Sequence, residues 1–123
     1  MIEVKFCKQN KGYYISEGFK SIKDKDIWLF YELVHDFNRP GSLNEYLQED
    51  GCYGDCSYVE FEGKKARVGW QPLQGTKVFY ELEIDRAYLL ELVNKWYDLS
   101  KRDAKEIIVR RDGERFEIEG VFE

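Results

Sequence analysis

The sequence predicts an α+β domain: a largely antiparallel sheet with two main helices and one short helix packed on one face. Three observations point there. Segments with apolar residues at every second position alternate with turn chemistry, two stretches repeat apolar residues at spacings of three and four, and strands that neighbour each other in sequence are joined by short loops. The 123 residues fit a single domain over 1–123, large enough to bury roughly two-thirds of the unfolded surface. Aromatic content of 16% and only two prolines argue for a packed core rather than disorder.

In chain order, Met1–Cys7 places Ile2, Val4 and Phe6 on one face and Glu3 and Lys5 on the other, as a half-buried strand does. Lys8–Gly12 supplies a turn, and Tyr13–Ser16 returns as the second arm of a hairpin. Asp24 is placed to cap a helix from Lys25 to about Asn38, in which Ile27, Phe30, Val34 and Phe37 form the buried stripe. Asn38-Arg39-Pro40-Gly41 ends it. Ser42-Leu43-Asn44-Glu45 reads as a capping box opening a short helix to about Asp50, followed by Gly51 as its left-handed terminator and a loop from Cys52 to Cys56.

Ser57–Glu62 alternates again. A Gly63-Lys64 turn of type II′ sets Phe61 opposite Ala66 and Val59 opposite Val68 on one face, with Trp70 on that same core side. Thr76–Ile84 follows as a strand burying Val78, Tyr80, Leu82 and Ile84. Asp85 caps a second helix from Arg86 to about Leu99, with Leu89, Val93 and Trp96 as its stripe and Leu92 widening it. Asp112-Gly113 is the signal for a type I′ hairpin pairing Val109 with Phe116 and Ile107 with Ile118, with Arg110, Arg115 and Glu117 in water.

Charge is distributed unevenly. No Lys or Arg lies between Arg39 and Lys64, while Glu45, Glu49, Asp50, Asp55, Glu60 and Glu62 fall there, so this window carries -6 against -5 for the whole chain. Tyr46, Tyr53 and Tyr58 are interleaved with the acids. Aromatics amid one-signed charge suit a protein interface that steers an oppositely charged partner. The candidate partner-binding residues are therefore Glu45, Tyr46, Glu49, Asp50, Tyr53, Asp55, Tyr58, Glu60 and Glu62, with Trp28 and Trp70 as possible further anchors. The acidity disfavours nucleic acid as a partner, since phosphate binding draws on clustered Lys and Arg.

Other chemistries are weaker. Cys7, Cys52, Cys56 and His35 are zinc-ligand types, but Cys52 and Cys56 are four apart and His35 falls within a helical pattern, so neither a metal nor a cofactor is expected. Asp50 and Asp55 beside the two loop cysteines are expected to raise their thiol pKa and blunt a redox role. With a single His and no nucleophile or phosphate-loop motif, the chain is not expected to be an enzyme; Glu60 and Glu62, two apart on a strand, share a solvated face. No apolar run reaches the roughly 20 residues of a membrane span, the N-terminal stretch lacks the pattern of a signal peptide, and three cysteines give no disulfide framework, so a cytoplasmic location is the default expectation.

The layout as a whole, with the module Ile84-Asp85-Arg86-Ala87-Tyr88-Leu89-Leu90-Glu91-Leu92 leading into the closing hairpin and the acid-tyrosine window, resembles the small acidic immunity proteins that bacteria encode beside polymorphic or contact-dependent toxins. The resemblance extends over the whole chain and rests on no signature motif. It implies stoichiometric inhibition: the acidic window docks on a basic toxin, a nuclease by preference, and occludes or mimics the phosphate backbone of its substrate. The rival reading is a small ligand-binding domain or enzyme with a pocket between sheet and helices, holding a buried carboxylate or histidine of shifted pKa.

Overall fold

The computed structural model describes residues 1–36, 51–53, 57–70 and 80–123. The elements are β1 (Ile2–Lys8), β2 (Tyr14–Ser16), a 3-10 turn (Glu17–Phe19), α1 (Lys25–Asp36), β3 (Gly51–Tyr53), β4 (Ser57–Glu62), β5 (Lys65–Trp70), β6 (Tyr80–Asp85), α2 (Arg86–Lys101), β7 (Glu106–Asp112) and β8 (Arg115–Val121). The architecture is α+β, and all strand pairs are antiparallel.

The strands divide into two four-stranded sheets, ordered β2-β1-β7-β8 and β3-β4-β5-β6, rather than lying in one. The first sheet joins the N-terminal hairpin to the C-terminal one through β1 and β7; the second is built from strands adjacent in sequence. Each helix touches both sheets, α1 against β4, β5, β6 and β7, and α2 against β5, β6 and β8. The shared core follows from the two sequence periods, alternation in the strands and three-four spacing in the helices, which aim Phe6, Val59, Val68, Ile107 and Val109 at Ile27, Phe30, Leu33, Leu89 and Val93.

Trp96, only 4% exposed, is where the elements meet. Its ring lies edge-on to Phe6 of β1 (5.4 Å), Tyr14 of β2 (5.8 Å), and Phe30 (6.1 Å) and Tyr31 (6.2 Å) of α1. Such contacts add about 0.5–1.5 kcal/mol each beyond the area they bury.

The helix caps follow the sequence. Asp24 Oδ2 accepts from Ile27 N–H at 3.0 Å, and Asp85 Oδ1 accepts from Ala87 N–H (3.0 Å) and Tyr88 N–H (3.4 Å). Asp24 has a second task. Arg111 on β7 donates to it through Nε at 2.8 Å and Nη2 at 2.6 Å, and the Asp24 side chain is only 8% exposed. One carboxylate thus starts α1 and ties it to the first sheet.

The Gly63-Lys64 hairpin has the expected register, Phe61↔Ala66 and Val59↔Val68, with Gly63 at φ 60. In the closing hairpin the turn is Gly113-Glu114 rather than Asp112-Gly113. Asp112 pairs with Arg115, so Val109 faces Ile118 and Ile107 faces Gly120. The apolar pattern could not decide between these registers, because a shift of two leaves every side chain on its own face. The glycine decides: at φ 63 it takes the first central position of the turn, and Glu114 is not left-handed. Gly51–Tyr53, part of the expected terminator and loop, is a strand paired with β4, whose exposed edge takes up its backbone groups. The last residues of the expected first helix, Phe37 and Asn38, the expected short helix over 42–50, residues 54–56 of the loop and residues 76–79 of the third strand lie outside the described residues.

The Asp24–Arg111 pair gives a pH test. Arg111, aided by the Ile27 amide, holds the Asp24 carboxyl below the usual carboxylate range against the opposing effect of burial. A carboxyl depressed in the folded state contributes stability that is full above its unfolded value, near about 4, and is lost as pH falls through the lower folded value. Urea unfolding from neutral to strongly acidic pH is expected to show that loss, and Asp24→Asn is expected to remove it. At neutral pH Asp24→Ala is expected to cost about 3 kcal/mol, since it leaves Arg111 without its buried partner.

Candidate functional site

Strand alternation sorts the second sheet into a core face and an outer face. Val59, Phe61, Ala66, Val68, Leu82 and Ile84 point to the helices, and the residues between them point away. Register then assembles the outer face in three rows across β4, β5 and β6: Glu62–Lys65–Asp85, Glu60–Arg67–Glu83 and Tyr58–Gly69–Glu81. In two rows the central strand supplies a base between two acids; in the third it supplies none. Five carboxylates therefore share the face with two bases.

The bases do not neutralise it. Arg67 Nη2 lies 3.9 Å from Glu60 Oε2 and 4.0 Å from Glu62 Oε2, so one guanidinium is divided between two carboxylates. Glu62, Glu81, Glu83 and Asp85 are exposed and Glu60 is half-buried. Exposed pairs at such distances contribute about 0–1 kcal/mol and loosen in salt, leaving the surplus charge available to a partner.

The Tyr58 row is structural. Gly69 lacks the side chain that would occupy the middle of the row, and the Tyr58 ring fills that space; a Cβ built at Gly69 would overlap Tyr58 Cζ, Oη and Cε1. Tyr58 is 5% exposed, and its hydroxyl donates to Glu81 Oε2 at 2.9 Å. Burial and this carboxylate push the phenol well above its ordinary value. In the described structure Tyr58 thus supports the face and aims Glu81.

Of the residues singled out in the sequence, Tyr58, Glu60 and Glu62 come together on this face. Tyr53 is in β3, opposite Tyr58 in register. Glu45, Tyr46, Glu49, Asp50 and Asp55 lie outside the described residues. Glu81 and Glu83 were missed. They were legible in principle, because the strand that buries Leu82 and Ile84 must turn Glu81 and Glu83 outward, and only the β5–β6 register was needed to set them beside Glu60. Trp28 and Trp70 meet edge to face at 5.1 Å and pack against the core.

A cavity of about 390 Å³ lies elsewhere, between the β1–β2 turn and the last turns of α1 and α2. Its walls include Tyr13, Tyr14, Tyr31, His35, Trp96 and Tyr97. Tyr14 donates to Ala104 C=O at 2.6 Å and Tyr31 to Tyr14 C=O at 2.5 Å, which fixes both rings, and burial pushes the Tyr31 phenol up to about 12. No carboxylate is among its described lining residues, and His35 is exposed, stacked on Tyr31 at 5.4 Å.

Among the described residues no group of three or more His, Cys, Asp and Glu side chains is placed to hold a metal ion. Cys7 is half-buried, and burial together with Glu106 opposite it pushes its thiol pKa up. No helix among the described residues is long and apolar enough to cross a membrane.

The Tyr58 row can be tested by substitution. Gly69→Ala is expected to displace the Tyr58 ring and to cost about 1–3 kcal/mol by overpacking, whereas Tyr58→Phe, which keeps the ring and loses the bond to Glu81, costs about 1 kcal/mol. Urea unfolding of both variants checks the order. Compared with known proteins, the chain matches no family model, and no curated protein or solved structure is significantly similar to it.

Proposed function

We propose that the chain is a protein-binding inhibitor of the immunity-protein kind, which neutralises a basic toxin through the acidic outer face of its second sheet. The observation that carries this reading is the pair of acid-base-acid rows, with Glu60, Glu62, Glu83 and Asp85 flanking Lys65 and Arg67. A strand ladder fixes the backbone from which these carboxylates project, about 5 Å between adjacent strands and so about 10 Å from acid to acid across the intervening base, and little backbone order has to be created on binding.

A nuclease is the class of toxin that fits best. Its substrate groove must be lined by Lys and Arg to hold phosphates, and an array of carboxylates on one sheet face meets the same groups. Complementary charge accelerates encounter and fixes orientation, while shape excludes other partners. Glu45, Glu49, Asp50 and Asp55 extend the acidic character in sequence. The rival reading, a ligand-binding pocket, draws on the aromatic cavity at the end of α1, whose volume falls within the range of small-molecule sites. Its described walls offer aromatic faces and His35 but no carboxylate.

The test is charge reversal. Glu62→Lys with Glu83→Lys, and separately Glu49→Lys, Asp50→Lys and Asp55→Lys together, are expected to weaken a captured basic partner by about 2 kcal/mol or more while leaving the melting temperature nearly unchanged. The partner is sought by affinity capture from the native cells, together with the products of neighbouring genes, at low and high salt. A stoichiometric basic protein that salt releases, and whose toxicity co-expression of the chain relieves, is the expected result. Binding unaffected by either set of reversals would sink the reading.

A further inference from the structure

The first sheet has an incomplete edge. β1 is paired with β7 from Ile2 to Cys7, but β2 covers only Phe6–Lys8, and its last pair is Phe6↔Ser16. Beyond Ser16 the chain leaves the sheet through two successive left-handed residues, Gly18 at φ 67 and Phe19 at φ 58. For phenylalanine this conformation is unfavourable because Cβ crowds the backbone carbonyl, and the ring, 82% exposed, recovers little by burial. The detour opens a groove of about 710 Å³ between the uncovered half of β1 and the segment returning to α1.

Hydrogen-bond parity identifies the backbone groups that face this groove. Lys8 N–H donates to Lys105 C=O, on the β7 side, and Gln9 N–H donates to Tyr13 C=O, on the β2 side. Because antiparallel strands point successive residues to opposite neighbours, even-numbered residues of β1 serve β7 and odd-numbered ones serve the other edge. Glu3 therefore turns both its N–H and its C=O to the groove, and Lys5 turns its N–H there. Among the described residues, the ladder with β2 stops before these groups.

The side chains around the groove narrow what can fill it. Val4 and Ile22 pack against the core, and Ile2 beside them is 40% exposed, giving one apolar strip. Most of the charges are committed: Glu3 to Arg110 at 2.8 Å, Asp24 to Arg111 at 2.6 Å, and Lys5 to Glu106 at 3.9 Å. The groove is lined by Lys5, Lys20 and Lys23 against Glu3, Glu17 and Asp24 and is neutral as a whole. Lys20 and Lys23 form no ion pair among the described residues, so the charge left for a guest is Lys20 and Lys23 against Glu17, an excess of one positive.

We infer that the Ile2–Lys5 edge of β1 accepts an extended acidic peptide segment of a protein partner as an added strand. An aliphatic residue of the guest rests on Ile2, Val4 and Ile22, the next residue carries a carboxylate to Lys20 or Lys23, and the guest backbone takes up the groups of Glu3 and Lys5. Strand addition of this kind draws affinity from main-chain bonds and specificity from alternate side chains. The site is on the first sheet and selects the charge opposite to that sought by the acidic face, so either can fail without the other.

The probe is a capped hexapeptide of alternating valine and glutamate, titrated into the full chain and followed by amide NMR. The expected result is saturable shifts with slowed exchange at the Glu3 and Lys5 amides, and none centred on Glu62 or Glu83. The same peptide N-methylated at every second residue, or with lysine replacing glutamate, is expected to bind at least about tenfold more weakly. Lys20→Glu with Lys23→Glu is expected to invert the preference between the acidic and basic peptides. Glu3→Pro removes an N–H that faces the groove together with the Glu3–Arg110 ion pair, whereas Glu3→Ala removes the ion pair alone, so Glu3→Pro is expected to bind the peptide more weakly than Glu3→Ala. Absence of saturable shifts at millimolar peptide overturns the inference. So does protection of Glu3 and Lys5 that follows protein concentration alone, because the edge is then taken by a second copy of the chain.

Discussion

The packing of both sheets on the two helices sets the condition on which the rest of the fold depends. The two sheets have no strand in common, so nothing in the hydrogen-bonded ladders holds one against the other. The helices do this through side chains, and the indole of α2 is the point at which β1, β2 and α1 converge. An interior at native packing density gains from a large rigid ring because each neighbour is fixed by the same atoms. The Asp24–Arg111 pair adds a directional constraint at the N-terminal end of α1, setting where the helix begins relative to β7. Packing supplies the attraction, and the ion pair supplies the register.

This arrangement frees one face of the second sheet. Since α1 and α2 cover the side of Val59, Val68 and Ile84, the charges of β4, β5 and β6 are gathered on the other side at the spacing of the strands. Placing both bases on the central strand keeps like charges from lying directly opposite one another, which cross-strand pairing penalises. The face therefore carries excess negative charge without placing two carboxylates directly opposite in neighbouring strands. Gly69 is the exception among the central residues, and there a tyrosine ring replaces the missing side chain.

Local features of the fold were legible in the sequence, and long-range ones were not. The caps at Asp24 and Asp85, the α2 stripe and the Gly63 hairpin all depend on residues within a few positions of each other, where propensity and periodicity act directly. The closing hairpin was legible in its faces and not in its register, because parity survives a shift of two. Gly51–Tyr53 carries no alternation and becomes a strand only through the edge that β4 offers. The division into two sheets and the Asp24–Arg111 bond join segments far apart in the chain. For the site, the contiguous acidic window led to Glu60 and Glu62 but concealed Glu81 and Glu83, whose proximity is a property of the sheet.

The pairing of β1 with β7 has a consequence for how the chain is made. Gly51–Asp85 contains all four strands of the second sheet, whereas the third residue of the chain waits for Arg110. Loop-closure entropy makes the first arrangement fast and the second slow. During synthesis from the N-terminus, β1 and its short hairpin emerge from the ribosome long before Glu106–Asp112 exists. In that interval Val4 and Phe6 lack their native cover on the β7 side, and the nascent chain presents both edges of β1 from Ile2 to Lys5 to whatever surrounds it.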